Sequence, residues 1–344
     1  MMNIISDKCH DNLIKNTKQK FAFDKNKDFA TWKQELKEVF YEVSGINKIK
    51  LNDCPLSVTV EQDELKDGYR LIRFVMETEK DNFVPCYLLI PTTGEKSYPL
   101  AITLQGHKKG GIYNSIGIKK LPEDENYQPR GAFALQAVKE GYAALCVEMR
   151  GMGELEPKTE DEATTERRLW GQNCKFTAFA SMALGRTILG ERIWDIGKGI
   201  DAMANFPEVD TSKIVITGNS GGGTASFYAA CFDERITLSA PSCAFCTYKD
   251  SILDVYHCIC NLIPGSYNLF EMQDLAGLIA PRKLLLINGE LDEIFPIHGV
   301  KEGFETIKQI YEKAGAPENT KLVVTPKHHW WCEDIVWPNI KEMF

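Results

Sequence analysis

Residues 213–230, Lys-Ile-Val-Ile-Thr-Gly-Asn-Ser-Gly-Gly-Gly-Thr-Ala-Ser-Phe-Tyr-Ala-Ala, set an apolar run against Gly218-Asn219-Ser220-Gly221-Gly222 and then a helix-forming segment. This is a G-x-S-x-G turn between a strand and a helix. A serine raised on so tight a turn has strained backbone angles, and side chains two positions to either side would collide with neighbouring backbone. Glycine at 218 and 222 removes these obstacles. The helix that follows points its first N–H groups at the serine, so negative charge developing on a carbonyl oxygen would meet donors already in place. Ser220 is therefore the candidate nucleophile. A glycine-rich phosphate loop is the competing reading, and it fails on spacing. The stretch lacks G-x-G-x-x-G, lies near position 220 instead of on a first strand, and no G-x-x-x-x-G-K-[ST] occurs elsewhere.

A serine hydroxyl is a weak nucleophile at neutral pH. It needs a histidine to take its proton and a carboxylate to hold that imidazole in the right tautomer. Both are expected downstream, in the order carboxylate then histidine, each just after a strand. The run Leu284-Leu285-Leu286-Ile287-Asn288-Gly289-Glu290-Leu291-Asp292 supplies the carboxylate, with Asp292 preferred over Glu290 and Glu293. The next apolar run ends in Thr325-Pro326-Lys327-His328-His329-Trp330-Trp331, so two of the chain's six histidines are candidate bases, His329 ahead of His328. A second N–H donor is expected from the loop after Ala101-Ile102-Thr103-Leu104. There the backbone of His107 would join that of Gly221, the His107 imidazole itself being incidental.

The remaining pattern fits this placement. A helix is expected over about 28–43, with Phe29, Trp32, Leu36, Val39 and Phe40 on one face, as part of an amino-terminal helical extension covering 1–50. Apolar runs at 57–60, 70–77, 83–91 and 99–105, separated by turn residues, read as strands that begin with antiparallel hairpins. From Ala132 onward helix and strand alternate: helix 133–139, strand 143–148, helix 193–205, strand 214–218, then buried runs at 283–288 and 321–325. That rhythm implies an α/β domain over 51–344. Its central sheet would be mostly parallel, with helices on both faces, an antiparallel amino-terminal edge and sites at the carboxyl ends of strands. Residues 243–280 break the rhythm and read as an insertion near the site.

Composition narrows the partners. A net charge of −8 argues against nucleic acid or an anionic membrane surface, no apolar run approaches the ~18 residues of a membrane span, and small uncharged substrates remain allowed. The amino end has no basic-then-apolar leader, and eleven cysteines without regular spacing fit reduced thiols, so a cytoplasmic location is expected. Cys243-x-x-Cys246 and Cys258-x-Cys260, with His257 adjacent, could in principle surround zinc. They lack the paired spacing of a zinc ribbon and read instead as packing residues, so no metal or organic cofactor is expected. Oligomeric state is not legible.

With these residues in place the chain resembles the acetyl-xylan-esterase-like group of α/β-hydrolases, related in pattern to dienelactone hydrolases and cephalosporin deacetylases, over most of 50–344. Beyond the elbow the likeness rests on Arg150-Gly151-Met152-Gly153, Ile188-Leu189-Gly190 with Trp194-Asp195, and His257-Cys258-Ile259-Cys260-Asn261 with Pro264-Gly265. Ala280-Pro281-Arg282-Lys283 and Trp337-Pro338 complete it; eight residues before that Trp-Pro the group carries its histidine, which lands on His329. Gln105 stands where relatives commonly carry histidine, and Lys327-His328 replaces their glycines. The resemblance implies an α/β-hydrolase fold and a serine esterase that removes acetyl groups from a sugar or oligosaccharide through an acyl-enzyme. From their position near the base, Trp330, Trp331 and Trp337 would form an aromatic wall for a sugar ring or acyl chain, of which Trp330 and Trp331 are the candidate substrate contacts; core packing is the stronger reading for at least one of the three. Arg150 is expected to tie the sheet edge to the loop carrying Glu148 and Glu154. The alternatives are a peptidase of the same fold, for which the amino-terminal segment is too short to form a gating domain, and a non-catalytic binding protein.

Overall fold

The computed structural model describes residues 7–107, 110–120, 130–156 and 173–344. Among them, nine strands form one sheet. β1 (Ser57–Lys66), β2 (Tyr69–Glu79) and β3 (Asn82–Pro91) are an antiparallel meander. β4 (Tyr98–Leu104), β5 (Ala143–Val147), β6 (Val209–Asn219), β7 (Leu238–Ser242), β8 (Lys283–Gly289) and β9 (Thr320–Thr325) run parallel to one another. The order is β1-β2-β3-β5-β4-β6-β7-β8-β9, so the chain turns back across β4 between β5 and β6. This is the mostly parallel sheet with an antiparallel edge that the alternating pattern implies. β7 was not expected: Leu-Ser-Ala-Pro-Ser offers no apolar run, yet all five residues are buried, with Ser239 Oγ bonded to the carbonyl of Ser226.

The main helices are α1 (Lys8–Asn16), α2 (Phe29–Val43), α3 (Phe133–Lys139), α4 (Asn173–Ala183), α5 (Ile188–Ala202), α6 (Gly221–Phe232), α7 (Ile297–Lys313) and α8 (Glu333–Met343). The central strands read as continuous apolar runs because both faces are covered. Leu100, Ile102, Ile214, Ile216, Leu284 and Leu286 pack with α2, α5, α6 and α7 in one core. The intervening Ala101, Val215, Leu285 and Ile287 pack with α3 and α8 in the other. α2 begins at Asp28, whose carboxylate accepts from the N–H of Thr31 at 2.9 Å, and buries Trp32, Leu36 and Phe40 in the same core as the sheet. α5 starts five residues earlier than periodicity suggests. Thr187 caps it by accepting from the N–H of Gly190, and Gly190 lies so close to the carbonyl of Ser44 that a side chain would not fit.

Arg150, just after β5, does not bond to Glu148 or Glu154 as expected. Its guanidinium grips Asp195 of α5 through Nε–Oδ2 at 2.7 Å and Nη2–Oδ1 at 2.8 Å, and reaches Glu79 at the end of β2 at 2.6 Å. Arg186 forms an ion pair with Glu191 at 2.9 Å and also pairs with Glu79. Glu154 instead takes Arg73, at 2.6 Å. Sequence proximity misled here because the carboxylates that satisfy a buried guanidinium come from separate elements. Removing one partner leaves charge stranded in the interior, so Asp195→Ala is expected to lower unfolding free energy by about 3–5 kcal/mol. Denaturant melts at neutral pH check this; a change within experimental error would contradict the role given to the pair.

Candidate functional site

The register of the sheet gathers the site at the carboxyl ends of its central strands, where the strand order reverses. Leu104 pairs with Gly218, so Gln105-Gly106-His107 emerges beside Asn219-Ser220. Gly289 pairs with Thr325, so the loop holding Asp292 emerges beside the one holding His329.

Ser220 has φ +57° and ψ −124°, a conformation that costs a non-glycine residue energy and that surrounding contacts must hold. Two of those contacts are hydrogen bonds: its N–H donates to the carbonyl of Ser242 at 2.9 Å, and its carbonyl accepts from Thr224 at 2.8 Å. Gly218 and Gly222 have ordinary φ and are needed for space. A Cβ on either would strike the carbonyl oxygen of Leu104, and one on Gly222 would also lie 2.6 Å from that of Gln105. A Cβ on Gly106 would lie 2.9 Å from the carbonyl of Asn219 and 3.2 Å from Cβ of Ser220. The β4 loop is thus pressed onto the elbow.

Asp292 is buried and fully engaged. Oδ1 accepts from the N–H groups of Ile294 at 2.8 Å and Phe295 at 3.1 Å, leaving Oδ2 to bond His329 Nδ1 at 2.8 Å. The ring of Phe295 stacks on His329 with centroids 5.9 Å apart and planes 13° apart. His329 Nε2 is buried and makes no hydrogen bond, so a bond to Ser220 Oγ is not formed in this geometry. His328 is exposed, and its neighbour Lys327 contributes a backbone carbonyl to the N–H of Leu291. The structure therefore joins His329, not His328, to Asp292.

Several neighbours escape a reading by motif. His257 packs edge-on against Phe295 at 5.1 Å and bonds Ser251 Oγ at 2.8 Å; burial holds its proton affinity below the usual histidine range. Cys243, with φ +48°, lies close enough to Asp292 and His329 that all three ligand atoms fall within 4.8 Å of one another. Burial, with the Asp292 charge second, pushes its thiol up to about 12, so it is neutral at physiological pH. The His107 side chain is exposed and lies between Gly221 and Cys260. A Cβ on Gly221 would lie 2.7 Å from its Cε1 and Nδ1, and its Nε2 is 2.9 Å from Cys260 Sγ. Desolvation opposes its protonation, but hydrogen bonds to Cys174 and Cys260 push it up to about 9. Cys246 points elsewhere, to the carbonyl of Pro296, so the cysteine set suggested by sequence does not converge.

The expected aromatic wall divides in two. Trp330 is 45% exposed, with the Arg130 guanidinium 3.3 Å over its ring. Trp331 is 1% exposed, tilted against Phe133 with centroids 4.5 Å apart, and donates from Nε1 to Gln136 Oε1 at 2.9 Å. It belongs to the core and cannot touch a substrate. Adjacent aromatics at a strand exit point to opposite sides, which composition alone does not reveal.

Behind the β4 loop, Glu148 accepts from Gln105 Nε2 at 2.7 Å and from the N–H groups of Ile112 at 3.2 Å and Glu154 at 3.1 Å. Burial pushes its carboxyl up to about 8, against these backbone donors. Its proton is then held by the folded chain and released by the unfolded one over the interval from 4.5 to about 8. The associated stability is fully present below 4.5 and is lost as pH rises through about 8. Between those limits the unfolding free energy of the native chain should fall relative to Glu148→Gln, by up to about 1.4 kcal/mol per pH unit. Chemical denaturation of both across that range checks this; a pH-independent difference would contradict it.

A family model described as the Abhydrolase family matches residues 3–333. "Putative hydrolase YtaP" of Bacillus subtilis (strain 168) is 25% identical over 280 residues, covering 80% of this chain and 88% of that protein. Among solved structures, a "putative acetyl xylan esterase" from Bacteroides fragilis superposes with TM-score 0.81 at 19% identity, covering 99% of this chain and 95% of that one. A glucuronoyl esterase from Solibacter usitatus gives TM-score 0.66 at 14% identity, covering 91% of each chain.

Proposed function

This chain belongs to the Abhydrolase family, and from that premise, joined to the geometry around Ser220, we propose that it is a serine esterase acting on a carbohydrate ester. The observation that carries the reading is the Asp292 Oδ2 to His329 Nδ1 bond of 2.8 Å, which assigns the Nδ1 proton to the carboxylate side and leaves buried Nε2 as the acceptor. Ser220 Oγ attacks the ester carbonyl while His329 takes its proton; Asp292 holds the imidazole in orientation. The backbone N–H groups of Gly221 and His107 face the charge that develops on the carbonyl oxygen. Collapse of the tetrahedral intermediate breaks the ester C–O bond, His329 returns the proton to the leaving alcohol, and water then releases the acyl group from Ser220 by the same steps. Hydrogen bonds between nucleophile and base are often long in an unliganded site, so the unmade Ser220–His329 bond is compatible with this sequence. The residues need no metal or organic cofactor for it. Trp330, next in sequence to His329 and 45% exposed although the Arg130 guanidinium covers one face of its ring, is the aromatic residue a sugar ring could meet.

The names of the neighbours support two kinds of ester. One is named for acetyl xylan, an acyl group on a sugar hydroxyl, and another for a glucuronoyl ester, in which the sugar supplies the acyl carbon. Sequence motifs and the structure with TM-score 0.81 favour the acetyl ester. With p-nitrophenyl acetate, Ser220→Ala is expected to lower turnover by about 10⁴ to 10⁶, as for a set of residues acting as a unit. His329→Ala should fall comparably and His328→Ala little; near-normal turnover in His329→Ala would overturn the assignment. On a panel of acetylated xylo-oligosaccharides and methyl glucuronate esters, higher kcat/KM is expected for the acetylated sugars. Preference for the glucuronate esters would move the substrate class without moving the chemistry.

A further inference from the structure

Three thiols and an imidazole from distant parts of the chain meet at the edge of the site. His107 comes from the loop after β4, Cys174 from the first turn of α4, and Cys258 and Cys260 from the stretch between β7 and β8. Cys174 Sγ is 2.9 Å from Cys258 Sγ, His107 Nε2 is 2.9 Å from Cys260 Sγ, and all four ligand atoms lie within 4.8 Å of one another. We propose that His107, Cys174, Cys258 and Cys260 form a tetrahedral zinc site that fastens the β4 loop and α4 to the 258–260 turn.

The donor set is the one zinc prefers in structural sites, three soft thiolates and one imidazole, filling all four positions. Zn–S bonds of about 2.3 Å place tetrahedral sulfurs about 3.8 Å apart, within the span of these atoms after shifts of less than about an ångström. The other buried cysteines are placed differently. Cys146 meets the hydroxyl of Thr103, and Cys231 meets the carbonyl of Leu275, each as a single small apolar residue filling a gap. Charge agrees as well. Zinc with three thiolates and a neutral imidazole carries −1, and Arg192, 2% exposed, places its positive charge toward Cys260 and His107. Its described hydrogen bonds go only to the carbonyl of Arg150, so among the described residues no carboxylate neutralises it. The local apolar cluster is thin, consisting of Cys174, Ala178, Ile188 and Cys260 with Cys258 and Ile259 at its margin, too little to hold three segments by burial alone. On binding, each thiol gives up its proton to solvent and the imidazole offers the lone pair of its neutral Nε2, the metal taking the place of the protons. With no position left for water, the ion is structural. Its link to ester hydrolysis is that it holds His107, and this consequence alone rests on the proposed function.

The test is metal content of the full chain purified without chelator. One zinc per chain is expected by elemental analysis, released on titration with an organomercurial. Cobalt added to the reduced, stripped chain should give thiolate-to-cobalt charge-transfer bands and the intense d–d bands of tetrahedral coordination. His107→Ala and Cys258→Ser should each weaken zinc retention at least tenfold against a competing chelator, while Cys54→Ser, remote from the cluster, should retain it. Should His107→Ala or Cys258→Ser fail to fold, the cobalt spectrum of the native chain still decides. Absence of stoichiometric zinc together with no tetrahedral cobalt spectrum would overturn the proposal. So would equal zinc retention in the folded variants, or a Cys174–Cys258 disulfide that excludes metal from the chain as purified. Ester hydrolysis is read separately, so a metal-free but active enzyme would remove this site and leave the proposed function standing.

Discussion

The carbonyl oxygen of Leu104 occupies the space that any side chain at 218 or 222 would need. That one contact ties the end of β4 to the turn after β6, and the site is arranged around it. Because the two glycines let the strands' exits touch, Gly106 can lie against Ser220. The strain at Ser220 is held by the bonds to Ser242 and Thr224, which root the elbow in the neighbouring strand and in its own helix. A larger residue at either glycine would force the β4 loop and the elbow apart, displacing Ser220 from Gly106. Catalytic groups on different segments can be placed within tenths of an ångström only when such contacts leave no slack.

On the other side of the mouth the constraint is electrostatic. Asp292 is buried, and a buried carboxylate is costly unless its lone pairs are used. Two backbone N–H groups and one imidazole N–H meet that requirement and fix the tautomer of His329. Phe295 then covers the ring, with His257 edge-on behind it. The imidazole is oriented by a carboxylate that is itself oriented by the main chain, so little of its geometry depends on mobile side chains.

Much of this was legible in the sequence because it is local. The elbow, the apolar runs of β4, β5, β8 and β9, the helix at 29–43 and the strand-exit positions of Asp292 and His329, which the structure brings into contact, all follow from residues near one another in the chain. What was missed is relational. β7 is polar in sequence because its serines bond to neighbouring elements, and α7 carries Gly299 and Gly303 where Cys246 and Phe245 press against it, which weakens its helical signature. The partners of Arg150 lie 45 and 71 positions away, and no spacing rule finds them. The cysteines of the 243–260 stretch looked like one group along the chain. In space they divide, Cys243 lying beside Asp292 and His329, Cys246 turning to the carbonyl of Pro296, and two joining His107 and Cys174. Trp330 and Trp331 are adjacent in sequence and opposite in environment for the same reason.

Ester hydrolysis as proposed requires Ser220 to be an activated hydroxyl, and covalent trapping reads that property directly. Treatment of the native chain with a fluorophosphonate, followed by intact mass and peptide mapping, is predicted to give one adduct per chain on the peptide containing Ser220. The same reagent should label the His329→Ala chain far more slowly. No adduct on the folded chain, or an adduct confined to another residue, would contradict the central claim.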